Sequence, residues 1–217
     1  MPKQAREEVD ITSTLKNILD NYPAGSATLR EILQNTDDAR AKKQTFILDT
    51  REFDAKSLVG SELHVCQGPA IIATNDAQFE PDDWRAILKI LNSSKTQDEA
   101  STGKYGLGFR SCYHVTDNPH ILSGDKLLIL DPHARVAKYQ GGVELDTKNV
   151  ANEDDKIERK IYQDHFATFS AVLNPGDEVY EGTAIRLPLR LPGFKSKIKS
   201  TSTNVRDARK MFDDFIE

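Results

Sequence analysis

Cysteine is almost missing from this chain. Of 217 residues only Cys66 and Cys112 carry thiols, far apart and without a Cys-x-x-Cys spacing. A disulfide framework and a cysteine zinc site are therefore not expected, and both residues read as buried small hydrophobes. Long apolar runs are missing too: nothing approaches the ~20 residues needed to span a bilayer. The opening Met-Pro-Lys-Gln-Ala-Arg-Glu-Glu has neither the apolar core of a secretory signal nor the acid-poor character of a transit peptide, so a cytoplasmic or nuclear setting is expected. Positive charge is short, with 29 Lys plus Arg against 34 Asp plus Glu and a net charge of -5. The broad basic field of a nucleic-acid binder is absent, and nucleic acid is not expected as the main ligand. The one basic stretch, Lys195, Lys197, Lys199, Arg206, Arg209 and Lys210, reads as a solvated linker and helix face. Repeats and low-complexity tracts are lacking.

What is present suits one α+β domain with a full core. A polar arm (1–10) precedes Ile11, Leu15, Ile18 and Leu19, which recur at helical spacing as far as Tyr22-Pro23. Ser26 is placed to cap a second helix running to about Ala41, with Leu29, Ile32 and Leu33 as its apolar face. Thr45–Asp49 and Pro69–Thr74 are short β-leaning runs bounded by turn residues. Pro81 opens a helix through Leu91, with Trp84, Ile87, Leu88 and Leu91 on one face. The stretch from Asn92 to Gly108 is rich in Ser, Thr, Gly and charge, and reads as a mobile loop of the kind that forms lids. Further strands are expected at Tyr113–Thr116, Ile121-Leu122, Lys126–Leu130 and Thr183–Leu189, with a polar excursion from Asp131 to Asp164; Pro188 should put the last strand at an edge or mark its end. The domain is bounded at 11–195, and 196–217 reads as a linker and a helix leading to further domains. Helices gathered on one face of a mostly antiparallel sheet, a two-layer sandwich, follow from this order.

Two constellations carry chemistry. Glu31, Asn35 and Asp38 stand four and three residues apart, which stacks them on one side of the second helix. A Glu can orient and deprotonate water, and an Asn oxygen suits magnesium, a hard ion that takes few protein ligands. Taken alone, such a stripe also fits an ordinary polar helix face. The second is Thr102-Gly-Lys-Tyr-Gly106-Leu107-Gly108-Phe109-Arg-Ser111, where glycines and successive N–H groups opening a helix suit phosphate. No Gly-Lys-Ser/Thr follows, so this is not a Walker loop.

In their order along the chain these segments resemble the GHKL (Bergerat-fold) ATPase superfamily. Glu31-x-x-x-Asn35 with Asp38-Ala39 resembles the helix bearing a water-activating Glu and a magnesium-binding Asn. Gly103–Asp117 is similar to the phosphate-binding lid hinge of the ninety-kilodalton heat-shock chaperone. Gly182-Thr183-Ala-Ile-Arg-Leu resembles a late strand whose Thr helps hold adenine. Tyr113-His-Val-Thr-Asp117-Asn-Pro119, Leu122-Ser-Gly124-Asp and Leu130-Asp-Pro-His133 look like the sacsin-type branch. One segment departs: where the family carries Asp-x-Gly-x-Gly, this chain has Asn75-Asp76-Ala77-Gln78-Phe79. Either Asn75 or Asp76 then stands in for the adenine-facing Asp. The lid lysine has no strict match, and Lys95 stands nearby, as a phosphate contact or a solvated loop charge.

The resemblance implies a magnesium-dependent ATP-binding domain of a sacsin-like chaperone or co-chaperone, with slow hydrolysis, Glu31 as general base and Asn35 as the metal ligand. Asp38, Asn75, Asp76, Lys95, Gly106, Leu107, Gly108, Phe109 and Thr183 are its nucleotide contacts. ATP or ADP, downstream domains of the same chain and client proteins are its implied partners. The alternative is a non-hydrolysing interaction module on the same fold.

Overall fold

The computed structural model describes residues 10–92, 108–136, 141–148 and 158–217. Lys95, Gly106, Leu107 and most of the expected lid lie outside the described residues.

Among the described residues six strands form one antiparallel sheet: β1 (Gln44–Asp49), β2 (Ala70–Asn75), β3 (His120–Gly124), β4 (Lys126–Asp131), β5 (Gly141–Asp146) and β6 (Tyr180–Pro188), in the order β1-β2-β6-β3-β4-β5. β6 is central, and Pro188 sits at its end opposite Ala70, where a missing N–H costs little. The longer helices are α1 (Ile11–Leu19), α2 (Ala27–Asp38), α3 (Pro81–Asn92) and α6 (Val205–Ile216). Leu29 and Ile32 of α2, Ile87 of α3 and Ala208 and Met211 of α6 join Ile71, Ala73, Ile121, Leu128, Ile185 and Leu187 of the sheet in one core. This is the α+β two-layer architecture that the sequence implies. Because successive strand residues face opposite ways, Leu122, Leu127, Ile129, Val143 and Ala184 point to the other face. There Leu63 and Cys66, from a 3-10 helix at Ser61–Cys66, and Phe166 and Phe169, around α5 (Gln163–Ala167), cover them.

Several local expectations are corrected. Tyr113–Thr116 is not a strand: Gly108–His114 is a 3-10 helix, closed by Val115 N–H donating to Cys112 O at 2.9 Å. It is buried on all sides, polar residues included, so it has no alternation of buried and exposed positions to distinguish strand from helix. The excursion from 131 to 164 holds β5, α4 (Glu158–Ile161) and the start of α5. Helix α2 ends at Asp38, and Leu33 is 41% exposed because the buried stripe is Thr28, Leu29, Ile32, Asn35 and Thr36. Leu88 likewise points outward. Ser26 makes no capping bond to the backbone; its hydroxyl instead accepts from Arg30 Nη1 at 3.1 Å.

Residues beyond 195 pack back onto the domain. Asn204 Oδ1 accepts from the N–H groups of Arg206 and Asp207, and Asp207 accepts from Asn204 N–H, a capping box that starts α6. Phe212 and Phe215 then meet Phe46 of β1 edge-on, with ring centres 6.4 and 5.3 Å apart.

Candidate functional site

Leu29 and Ile32 fix α2 on the sheet and thereby set the direction of its polar side chains. Asn35 is only 8% exposed, and its Nδ2 has no hydrogen-bond partner among the described residues. A buried unpaired donor costs about 1–3 kcal/mol. Glu31, one turn earlier and half-buried, lies against Gly108: a β-carbon there would collide with Glu31 Oε2 and sit 3.3 Å from its Cδ. Thr28 Oγ1 donates to Ser111 O at 3.2 Å, and Phe109 is wholly in the core, so the 3-10 helix is pinned to α2. The side chain of Phe109 is therefore structural, and only its backbone can face a ligand. Asp38 is exposed in the last turn of α2.

A second group forms on the sheet. Gln44 pairs with Asn75, Asn75 with Thr183, and Thr183 with Ser123, a polar row crossing β1, β2, β6 and β3 on the face that meets α2. The next row inward, Phe46, Ala73, Ile185 and Ile121, is apolar. Asn75 Nδ2 donates to Thr36 Oγ1 at 3.2 Å, and its Oδ1 accepts from Ala77 N–H at 3.0 Å. Thr183 Oγ1 donates to Ala77 O at 2.8 Å and lies 3.0 Å from Ser123 Oγ, which donates to Gly182 O and accepts from Phe79 N–H. The Asn75–Phe79 segment is thus held by the row, although it contains no glycine. Gly182 is needed here: a β-carbon would collide with the Asn75 carbonyl oxygen.

Asp76 points elsewhere. Its Oδ1 accepts from the N–H groups of Lys42 and Lys43 at 2.7 and 3.1 Å, and the Lys42 amide above all holds its carboxyl below the usual range. The structure therefore brings Asn75, not Asp76, together with Thr183 and α2. Thr36, Gln44 and Ser123 were missed from the sequence. Thr36 had a signal, since it falls eight residues after Thr28 and four after Ile32, on the buried stripe. Gln44 and Ser123 had none, because their row exists only across strands.

The residues that mark the branch do structural work. Asp117, 2% exposed, accepts from Arg190 Nε at 2.6 Å. Arg190 also donates to the carbonyls of Tyr113, His114 and Thr116. Burial lowers the His133 pKa and keeps the ring neutral, and its Nε2 accepts from Lys197 N–H at 3.0 Å. Its 3.2 Å approach to Asp117 Oδ2 is therefore not an ion pair.

The opposite face of the sheet holds a cationic core. Fully buried Arg186 donates to Cys66 O and Gly68 O, both at 2.7 Å, and pairs in register with His120. Neither ring nitrogen of His120 has a partner among the described residues, and the ring meets that of His165 edge-on at 6.3 Å. Burial pushes both imidazoles down, His165 to about 4, and Arg186 adds to the effect. Burial raises both thiols, Cys66 to about 12, which leaves them inert. No helix among the described residues is long and apolar enough to cross a membrane.

Human sacsin is 35% identical to this chain over 207 residues, which cover 93% of the chain and 4% of the human protein's length. The sacsin domain family model matches residues 8–217. On that match and that identity, the chain belongs to the sacsin domain family.

Proposed function

We propose that this domain binds ATP with magnesium and hydrolyses it slowly, as the nucleotide-dependent part of a sacsin-like chaperone or co-chaperone. The observation that carries the reading is on α2, where Glu31 lies against Gly108 and buried Asn35 stands one turn further on. The unpaired Nδ2 of Asn35 is a donor that a ligand's acceptor, such as a phosphate oxygen, would satisfy, and a glycine against a carboxylate leaves room for a close backbone approach. Among the described residues no cluster of three or more His, Cys, Asp or Glu could hold a metal alone. That suits magnesium carried by phosphates with the Asn35 oxygen as a protein ligand.

The residues present fit the nucleotide in distinct roles. Asn35 and the backbone at Gly108 and Phe109 would hold the magnesium and phosphate end. Asn75, with Thr183 and Thr36 behind it, would meet the base. Lys95, Gly106 and Leu107 belong to the phosphate end by resemblance. Bound ATP would supply the phosphoanhydride to be cleaved. Glu31 would orient a water and take its proton, a role in which positioning is the protein's main contribution.

One observation favours a second reading, a non-hydrolysing interaction module. Thr183 is 1% exposed, and its hydroxyl is already engaged by Ala77 and Ser123. Calorimetric titration of the domain with ATP, ADP and a non-hydrolysable analogue, each with and without magnesium, decides between the two. Magnesium-dependent binding is expected; no binding of any of the three leaves the interaction module.

A further inference from the structure

On the sheet face away from α2, three side chains from different elements meet without satisfying one another, and what they call for is independent of the nucleotide reading. Arg186 of β6 and His120 of β3 are partners across the strands, and the His120 ring meets that of His165 in α5 edge-on, with centres 6.3 Å apart. Arg186 acts electrostatically on both imidazoles. All three side chains are wholly buried. Among the described residues Arg186 Nε, both ring nitrogens of His120 and Nδ1 of His165 have no hydrogen-bond partner. Buried polar atoms are nearly always paired, so four in one cluster point to a ligand they share.

The polarity of that ligand follows from where the hydrogens stand. Val59 N–H donates to His165 Nε2 at 3.1 Å, so Nε2 supplies the lone pair and Nδ1 carries the hydrogen. Arg186 Nε can only donate. Neutral His120 offers one N–H, whichever nitrogen carries it. Three donors thus stand against one lone pair. The acceptors around them are committed elsewhere. The carbonyls of Cys66 and Gly68 take Arg186 Nη1 and Nη2. Asp49 is bound by Arg51 and acts on Arg186 only at a distance, while Asp164 accepts from the N–H groups of Lys56 and Ser57. A buried charge is costly without a counter-charge in contact. Water can serve two of the donors and brings no charge. A small anion accepts from all three and sets its charge against the guanidinium.

We propose that Arg186, His120 and His165 form a buried site for a small monovalent anion, with chloride as its occupant. Entry runs past Phe53. That half-buried ring packs against Arg186, 5.9 Å from its centre, and against the partly exposed Arg51 at 5.1 Å, which leaves one side chain between the cluster and solvent.

The experiment melts the chain in sodium chloride and in sodium gluconate at equal ionic strength, over a range of concentrations, for wild type and for His120→Leu. Anomalous diffraction from wild-type crystals soaked in bromide, which substitutes for chloride, locates the ion. Gluconate is too large for the site. General salt effects grow steadily with concentration, whereas the effect of a bound ion follows its dissociation constant. Wild type is expected to gain about 3 °C or more in chloride over gluconate at ten times that constant. His120→Leu should lose the difference, and bromide should lie within hydrogen-bond reach of Arg186 Nε and His165 Nδ1. If His120→Leu does not fold, the bromide position assigns the chloride effect in its place. Equal wild-type midpoints in the two salts overturn the proposal: a bromide peak then marks binding at crystal concentration only, and without one the nitrogens are served by water. A chloride effect unchanged in a folded His120→Leu, or one with no bromide at the cluster, overturns it as well. None of these results bears on ATP binding, which calorimetry tests separately.

Discussion

The carboxylate of Glu31 rests on the α-carbon of Gly108, in the space a β-carbon would fill, while the backbone carbonyl of Asn75 occupies the same position over Gly182. Two glycines are thus required for different reasons. At Gly108 the obstacle is the free end of a side chain, which can swing away. At Gly182 it is the backbone of a paired strand, which has nowhere to go. Gly182→Ala should therefore cost about 2 kcal/mol or more, and Gly108→Ala about 1 kcal/mol or less. On the proposed function, Gly108→Ala should still weaken ATP binding by about tenfold, since it displaces Glu31 and fills the phosphate approach. Urea unfolding and calorimetry on both variants check this. A Gly108→Ala protein with wild-type affinity would remove Gly108 from the site.

Asn35 makes a different prediction, because its Nδ2 is buried without a partner among the described residues. Asn35→Ala removes an uncompensated donor worth about 1–3 kcal/mol, and that offsets the small loss of packing. Its thermal midpoint should equal or exceed that of wild type while magnesium-dependent affinity falls, the trade-off expected where a site is kept at the expense of stability. A variant that loses stability and keeps its magnesium response would make the amide structural.

The architecture was legible where the signal was local. Leu29 and Ile32 marked the buried side of α2, and Pro188 marked the end of β6. The stretch around Tyr113 reads as a strand because a run buried on every side has no alternation that would show a helix. Leu33 was misplaced because an apolar residue beside the buried stripe looks the same in sequence as one within it. On the α2 side of the site, Glu31 and Asn35 show as a four-residue spacing. The sheet side is invisible in the sequence, since Gln44, Asn75, Thr183 and Ser123 are far apart and meet only through strand register.

The buried imidazoles set a pH dependence of stability. Burial first, and then Arg186, holds the folded pKa of His120 well below 6.5, while burial above all holds that of His165 at about 4. Below 6.5 the unfolded chain binds protons that the folded protein refuses. The stabilisation is therefore fully present above pH 6.5 and is lost as the pH falls toward 4. Each such group contributes up to ~1.4 kcal/mol per pH unit in that window. Urea unfolding at pH 7, 6 and 5 should show the decline, and His120→Leu should flatten it. A slope unchanged in His120→Leu would mean that His120 is protonated in the folded protein.

Glu31 carries the enzymatic half of the proposed function, and the contact with Gly108 makes Gln the informative replacement. Glutamine keeps the length and shape that pack on the glycine, so the 3-10 helix at Gly108–His114 and the phosphate approach should be undisturbed. It removes the negative charge and the capacity to accept a proton from water. Nucleotide affinity should stay within about threefold of wild type, while phosphate release falls by about 10²-fold or more if Glu31 acts as general base. Single-turnover phosphate release at saturating ATP isolates the chemical step from binding and product loss. Glu31→Asp sharpens the test, since it retains the carboxylate but withdraws it by one methylene from Gly108; partial activity there, with none in Glu31→Gln, would separate the proton-accepting role from packing. If Glu31→Gln releases phosphate as fast as wild type, Glu31 is not the base. If wild type binds ATP and releases no phosphate above background, the domain is a nucleotide-responsive switch and not an ATPase.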